Sequence, residues 1–130
     1  MKRRNIAGTI ADATLPKTPV EIGGKTYQLC FDLGALAEAE TAINRELARA
    51  GRTSEFINLL YALPIQNLAN VRNVFAAAVR VFHPELSFEQ ARDMLTLGDL
   101  LTVSIAIQDA WNASRIEEDA GAEVPLTATA

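Results

Sequence analysis

Val20-Glu21-Ile22-Gly23-Gly24-Lys25-Thr26-Tyr27-Gln28-Leu29-Cys30-Phe31-Asp32 is the stretch on which the fold turns. Val20 and Ile22 alternate with polar neighbours before the two glycines, and Tyr27, Leu29 and Phe31 are the apolar alternates after them. Period two on both sides of Gly-Gly predicts an antiparallel hairpin over 20–31, because glycine tolerates the positive φ angles of a two-residue primed turn. An isolated two-stranded hairpin is only marginally stable, so its apolar face must lie on another element. Asp32 follows the second strand directly and is placed to cap a helix with its carboxylate.

The rest of the chain supplies helices. The first is predicted over about 33–50, with Gly51 as its stop and Leu33, Leu36, Ile43 and Leu47 as its inward stripe. At 100° per residue Glu40 falls in the centre of that stripe. A carboxylate there must be paired or must face another chain, because an unpaired buried charge is costly. Thr53 or Ser54 can cap a second helix over about 54–63, carrying Phe56, Leu59, Leu60 and Leu63 and ended by Pro64. A third, over about 65–82, has Ile65, Leu68, Val71, Phe75, Ala78, Val79 and Phe82 at three- and four-residue spacing and reads as the central core helix, with Gln66, Asn70, Asn73 and Arg80 off the stripe. Proline disfavours helical geometry in the residue before it, so His83-Pro84 breaks this helix. Ser87-Phe88-Glu89-Gln90 matches a capping box and opens a helix over about 88–95. In the last helix, over about 98–118, Leu100, Val103, Ile107, Ala110 and Trp111 form one apolar face and Leu101 and Ile105 a second. Core contact is expected on the first face and a partner on the second, with deep burial in its own domain as the alternative.

The expected fold is therefore mainly α with a small N-terminal β-hairpin, an α+β arrangement in which about five helices make a compact bundle. The 130 residues suffice for one domain, read as 19–120, and 49% hydrophobic with 22% charged residues is the balance of a globular chain. Residues 1–18 show no sustained period and read as a flexible basic arm; 121–130 are rich in Ala and Thr and read as a disordered tail. Charge is uneven within the net of −4. Lys2, Arg3, Arg4 and Lys17 make the start basic, while Glu117, Glu118, Asp119 and Glu123 make the end acidic. A net-negative body argues against nucleic acid as the main partner, since neutralising phosphates needs a clustered basic surface. No membrane-length apolar segment and no signal-type h-region stand in the sequence, so a cytoplasmic protein is expected.

Catalytic chemistry finds few residues to use. His83 is the one histidine. In a helix-to-proline turn its ring is read as donating to a helix-end carbonyl. Cys30 lies in a strand and reads as a buried or half-buried thiol. One His and one Cys cannot make a tetrahedral metal site, and Glu38 with Glu40 or Glu117 with Glu118 read as solvated charges or ion-pair partners. Gly23-Gly24 lacks the lysine and serine of a phosphate loop. No catalytic residue, cofactor or metal is expected, and binding is favoured over catalysis.

The order of these parts resembles a family. Val20 to Leu29 followed by Phe31-Asp32-Leu33-Gly34-Ala35-Leu36-Ala37-Glu38-Ala39-Glu40 is similar to the opening of the tail assembly chaperones of long-tailed phages and gene transfer agents, in which a hairpin on a Gly-Gly-Lys turn runs into a helix with an acidic residue near its middle. His83-Pro84-Glu85-Leu86-Ser87-Phe88-Glu89-Gln90-Ala91 resembles a second stretch of that family, where a core helix ends at a proline and a capped short helix follows. Residues 19–115 are covered; the longer basic arm and the Leu63-Pro64 break depart from the pattern. Members are sometimes labelled tail tube proteins. The resemblance implies a non-enzymatic protein of the host bacterial cytoplasm that coats the tape measure protein, helps recruit tail tube protein and self-associates. A structural component of the tail or head-tail joint, and a small helical DNA-binding regulator using residues 2–4, are the alternatives. Candidate partner contacts are Tyr27 and Phe31 of the hairpin, Glu40, and Leu101, Ile105 and Trp111 of the last helix, each with core packing as its other reading.

Overall fold

The hairpin forms where the alternation places it. In the computed structural model, which describes residues 14–129 with side chains through Arg115, β1 (Thr18–Ile22) pairs antiparallel with β2 (Lys25–Leu29). The register sets Ile22 against Lys25 and Val20 against Tyr27. Gly23 and Gly24 have φ of 61° and 79°, the two successive positive values of the expected primed turn. In this register Pro19 opposes Gln28. That pair lies one step from both Val20–Tyr27 and Thr18–Leu29, so it takes the non-hydrogen-bonded place in the alternation counted from the two-residue turn, and the donor proline lacks is not needed by the ladder.

The outer edge of β2 is closed by the rest of the chain. Gln28 N–H donates to His83 Nε2 at 3.0 Å, Cys30 N–H to the Ala78 carbonyl at 3.2 Å and Phe31 N–H to Ser114 Oγ at 3.2 Å. His83 is thus an acceptor from a strand, not the donor to a helix-end carbonyl that the turn suggests; the backbone N–H of residue 83 already serves the Val79 carbonyl.

Helix α1 (Leu33–Arg49) starts and stops as expected. Asp32 accepts from Ala35 N–H at 2.8 Å. At the other end Gly51, at φ 73°, donates to the Ala48 carbonyl and Arg52 to the Leu47 carbonyl, a complete Schellman closure. The buried line is Ala35, Ala39 and Ile43 with Leu36 and Leu47 half-covered, whereas Leu33 is 69% exposed. The stripe is rotated because two alanines let α2 approach closely.

The expected helix over 54–63 is absent, so the described residues form four α-helices, not about five. Thr53–Glu55 is one turn of 3₁₀ helix and the chain to Asn67 is irregular. Side chains of α1 compete for its donors: Ile57 N–H goes to Asn44 Oδ1 at 2.9 Å and Leu59 N–H to Glu40 Oε2 at 3.0 Å. Asn58 Oδ1 takes Leu60 N–H. With those N–H groups bound sideways, the i to i−4 ladder has nothing to propagate.

Helix α2 (Leu68–Val79) is shorter at both ends than the sequence suggests, being capped by Asn67. It is the central element, with every residue from Asn73 to Val79 buried and contacts to α1, α3, α4 and β2. Asn73, expected off the stripe, is fully buried. The capping box of Ser87 and Gln90 opens α3 (Phe88–Asp93) as predicted. A 3₁₀ turn over Leu97–Asp99 leads into α4 (Leu100–Thr129), whose backbone stays helical beyond the end expected at 118 and through most of the stretch expected to be a disordered tail. Residues 1–13 of the expected arm lie outside the described residues; Lys17 places Nζ 5.0 Å from the Phe82 ring centroid.

Candidate functional site

Among the described residues, exposed apolar side chains gather in two areas, with Leu68 at the start of α2 apart from both. The first is on α4. Leu97 in the preceding turn is 82% exposed, Leu101 74% and Ile105 54%. Four-residue steps place these three in one row. The opposite face of α4 is core: Val103, Ile107 and Ala110 are buried against the hairpin and α2. The two-faced reading of this helix therefore holds, with Leu101 and Ile105 on its solvent side.

The second area lies where α1 begins, beside the 56–61 segment and the middle of α4. Phe31, Leu33, Leu36, Leu60 and Trp111 line a small cavity of about 110 Å³. Phe31 and Trp111 form its floor, with ring centroids 5.9 Å apart in an edge-to-face arrangement. Arg115 closes one side, its guanidinium 5.2 Å from the Trp111 ring and Nη1 donating to the Leu60 carbonyl at 3.1 Å. Leu60 is 50% exposed at its rim, and Phe56 and Tyr61 of the same segment are exposed too.

The six expected contact residues are thus divided. Leu101 and Ile105 are free to meet a partner. Phe31 and Trp111 are brought together but are 5% and 8% exposed, so they are core that underlies the cavity. Tyr27 is half-buried, edge-on to His83 with centroids 5.2 Å apart. Glu40 is half-buried and is spent on Leu59 N–H, which holds the 52–64 segment against α1. Sequence reasoning missed Leu33, Leu60 and Tyr61 as surface. Both leucines fit helix stripes in the sequence; Leu33 is turned outward by the rotation of the α1 stripe onto Ala35 and Ala39, and Leu60 by the absence of a helix over 54–63.

Charged groups mostly pair locally. Arg80 binds Glu38, Arg72 binds Asp93 at 2.8 Å, and Arg92 reaches Glu46 at 3.4 Å. Glu46 also accepts from buried Asn73 Nδ2 at 3.1 Å. On the surface Arg52 holds the Glu55 carboxyl below the usual range, and is itself raised by that hydrogen bond. Burial, with the negative Asp32 nearby, pushes the Cys30 thiol up to about 12 against a hydrogen bond to Ser114 that lowers it. A thiol held protonated at neutral pH is a poor nucleophile. Among the described residues no group of three His, Cys, Asp or Glu side chains is gathered as a metal site, and no helix is long and apolar enough to cross a membrane. Comparison of the chain with family models, with curated proteins and with solved structures finds no match in any of the three.

Proposed function

We propose that this chain is a non-enzymatic assembly chaperone of the phage tail type, working in the host bacterial cytoplasm, where it binds the tape measure protein and helps recruit tail tube protein. The observation that carries the proposal is the row Leu97, Leu101 and Ile105, three large apolar side chains left in water at four-residue spacing along the 3₁₀ turn and the first turns of α4. Such a row is suited to lying along another amphipathic helix, the form expected of a tape measure protein. The resemblance of residues 20–40 and 83–91 to tail assembly chaperones supplies the identity of the client. The protonated, buried Cys30 and the structurally engaged His83 support a binding role over a catalytic one.

The test is co-expression with the long helical reading frame that encodes the client, followed by size exclusion with light scattering. The expected result is a complex carrying several copies per client, lost in the double variant Leu101→Asp/Ile105→Asp while the thermal melt stays within a few degrees of wild type. Failure of the wild-type chain to bind that client would overturn the proposal. Recovery of the chain from purified particles would instead support the structural tail component.

A further inference from the structure

Helices α1 and α3 both pack on α2 and leave between them a groove of about 660 Å³. Three contacts fix how it runs. Arg80 binds Glu38 and gives its Nε–H to the Leu86 carbonyl, which sets the start of α3 beside the first half of α1. Arg92 reaches Glu46, which sets the end of α3 beside the second half. Along α1 the lining residues Ala37, Thr41, Arg45 and Arg49 recur every four positions, a row about 18 Å long. Its first half is made of small side chains and shares the groove with half-buried Phe88 of α3.

Charge is divided along this row. Glu38 is engaged by Arg80, and Glu46 by Asn73 and Arg92. Glu89, exposed and unpaired, stands in the first turn of α3 at the Glu38 end. Arg45 and Arg49, both exposed, have no carboxylate within ion-pair distance among the described residues. They stand one turn apart, about 6 Å between Cβ atoms. Arg49 complements the C-terminal dipole of α1, but Arg45 lies a turn further in and has no such local role. On the α3 side Arg92 buries its Nε–H without an acceptor. A chain of net charge −4 thus holds two free guanidiniums and an unfilled donor at one end of a groove.

We propose that the α1–α3 groove docks an acidic helix of another protein, which lies along α1 and sets two carboxylates a turn apart against Arg45 and Arg49. Charge complementarity selects this occupant. Carboxylates at i and i+4 of a helix repeat the spacing of the two guanidiniums, and each can take a charge-assisted hydrogen bond. Small residues at 37 and 41 let a helix come close, and Phe88 offers apolar contact there. Glu89 at that end repels a uniformly acidic ligand, so the acidic stretch of the occupant is short and one-sided. A small inorganic anion would leave the Phe88 half of the groove unused. This surface is separate from Leu97, Leu101 and Ile105, so the inference does not rest on the proposed client.

The probe is a fluorescein-labelled, alanine-based helical peptide of about 15 residues, long enough to hold some helix in water. It carries one leucine toward one end and two glutamates a turn apart toward the other. Its controls have glutamine or lysine in place of both glutamates. Anisotropy titrations with the full chain at low salt should show the glutamate peptide binding about tenfold or more tightly than the glutamine peptide. Arg45→Glu/Arg49→Glu should lose the glutamate peptide and take up the lysine peptide, a recovery that a misfolded variant could not give. Thr41→Trp fills the first half of the groove without changing a charge and should also weaken the glutamate peptide by about tenfold. A wild-type chain that ignores the glutamate peptide, equal binding of the glutamate and glutamine peptides, or a reversed variant that does not exchange one peptide for the other would each overturn the docking site. Binding untouched by Thr41→Trp would place the attraction outside the groove and overturn it too. Displacement of the peptide by millimolar inorganic phosphate at constant ionic strength would assign the arginines to a free anion instead. The client complex is read in the separate co-expression assay, so either proposal can fail alone.

Discussion

Glu40 shows how one side chain decides the course of a segment. A carboxylate on the inner side of α1 accepts Leu59 N–H at 3.0 Å, and Leu59 is 1% exposed. Removing the acceptor strands a buried donor, so Glu40→Ala should cost about 1–3 kcal/mol in urea unfolding. Glu40→Gln keeps an oxygen in place and should lose less than half as much; equal losses would show that the charge and not the hydrogen bond matters. Cys30 gives a second residue-scale test. Its thiol is raised from an ordinary value near 9.0 to about 12 in the folded chain. Above pH 9 the unfolded thiol releases its proton while the folded one keeps it, so this contribution is complete below pH 9 and is lost as pH rises. Between pH 9 and pH 10 the stability of wild type relative to Cys30→Ala should fall by about 1 kcal/mol. A pH-independent difference would mean that the folded thiol ionises as freely as the unfolded one.

Among the elements, α1 has the most local control of its ends. Gly51 sits at φ +73° with nothing within 4 Å of where a Cβ would be, so Gly51→Ala meets no neighbour and costs only the left-handed backbone, about 1–2 kcal/mol by thermal or urea unfolding. Gly51→Asn should recover part of that loss. Ends of this kind are readable in the sequence because the chemistry is confined to a few adjacent residues: Asp32 with Ala35, Gly51 with Leu47 and Ala48, Ser87 with Gln90. The Gly23-Gly24 turn and the alternation beside it are readable for the same reason. The missing helix over 54–63 is the contrary case. Its own pattern is helical, and what defeats it are Glu40 and Asn44, more than a dozen residues earlier, taking Leu59 and Ile57 N–H groups. Asn73 was misplaced likewise, since Glu46 of α1 supplies the partner that lets an amide enter the core of α2. On α4 both faces were legible from periodicity, but Trp111 belongs to the core because Phe31 stands against it, a contact across eighty positions of sequence.

For the whole molecule, two kinds of surface are kept apart. Apolar groups occupy the α4 row and the cavity rim near Leu60, while the unpaired arginines of α1 lie on the α3 side. Salt separates interactions made through the two. Exposed charge pairs are screened over a Debye length of about 10 Å at 0.1 M and about 3 Å at 1 M ionic strength. Burial of Leu97, Leu101 and Ile105 is not weakened by sodium chloride and is strengthened by salts excluded from the surface, such as sulfate. Raising sodium chloride from low concentration to 1 M should therefore leave client held by the α4 row, whereas a contact made through Arg45 and Arg49 would weaken over the same range. The measurement is retention of tagged client with the chain bound over a salt series, in sodium chloride and in sodium sulfate. Retention that falls steeply with sodium chloride would mean that charge, and not Leu97, Leu101 and Ile105, holds the client.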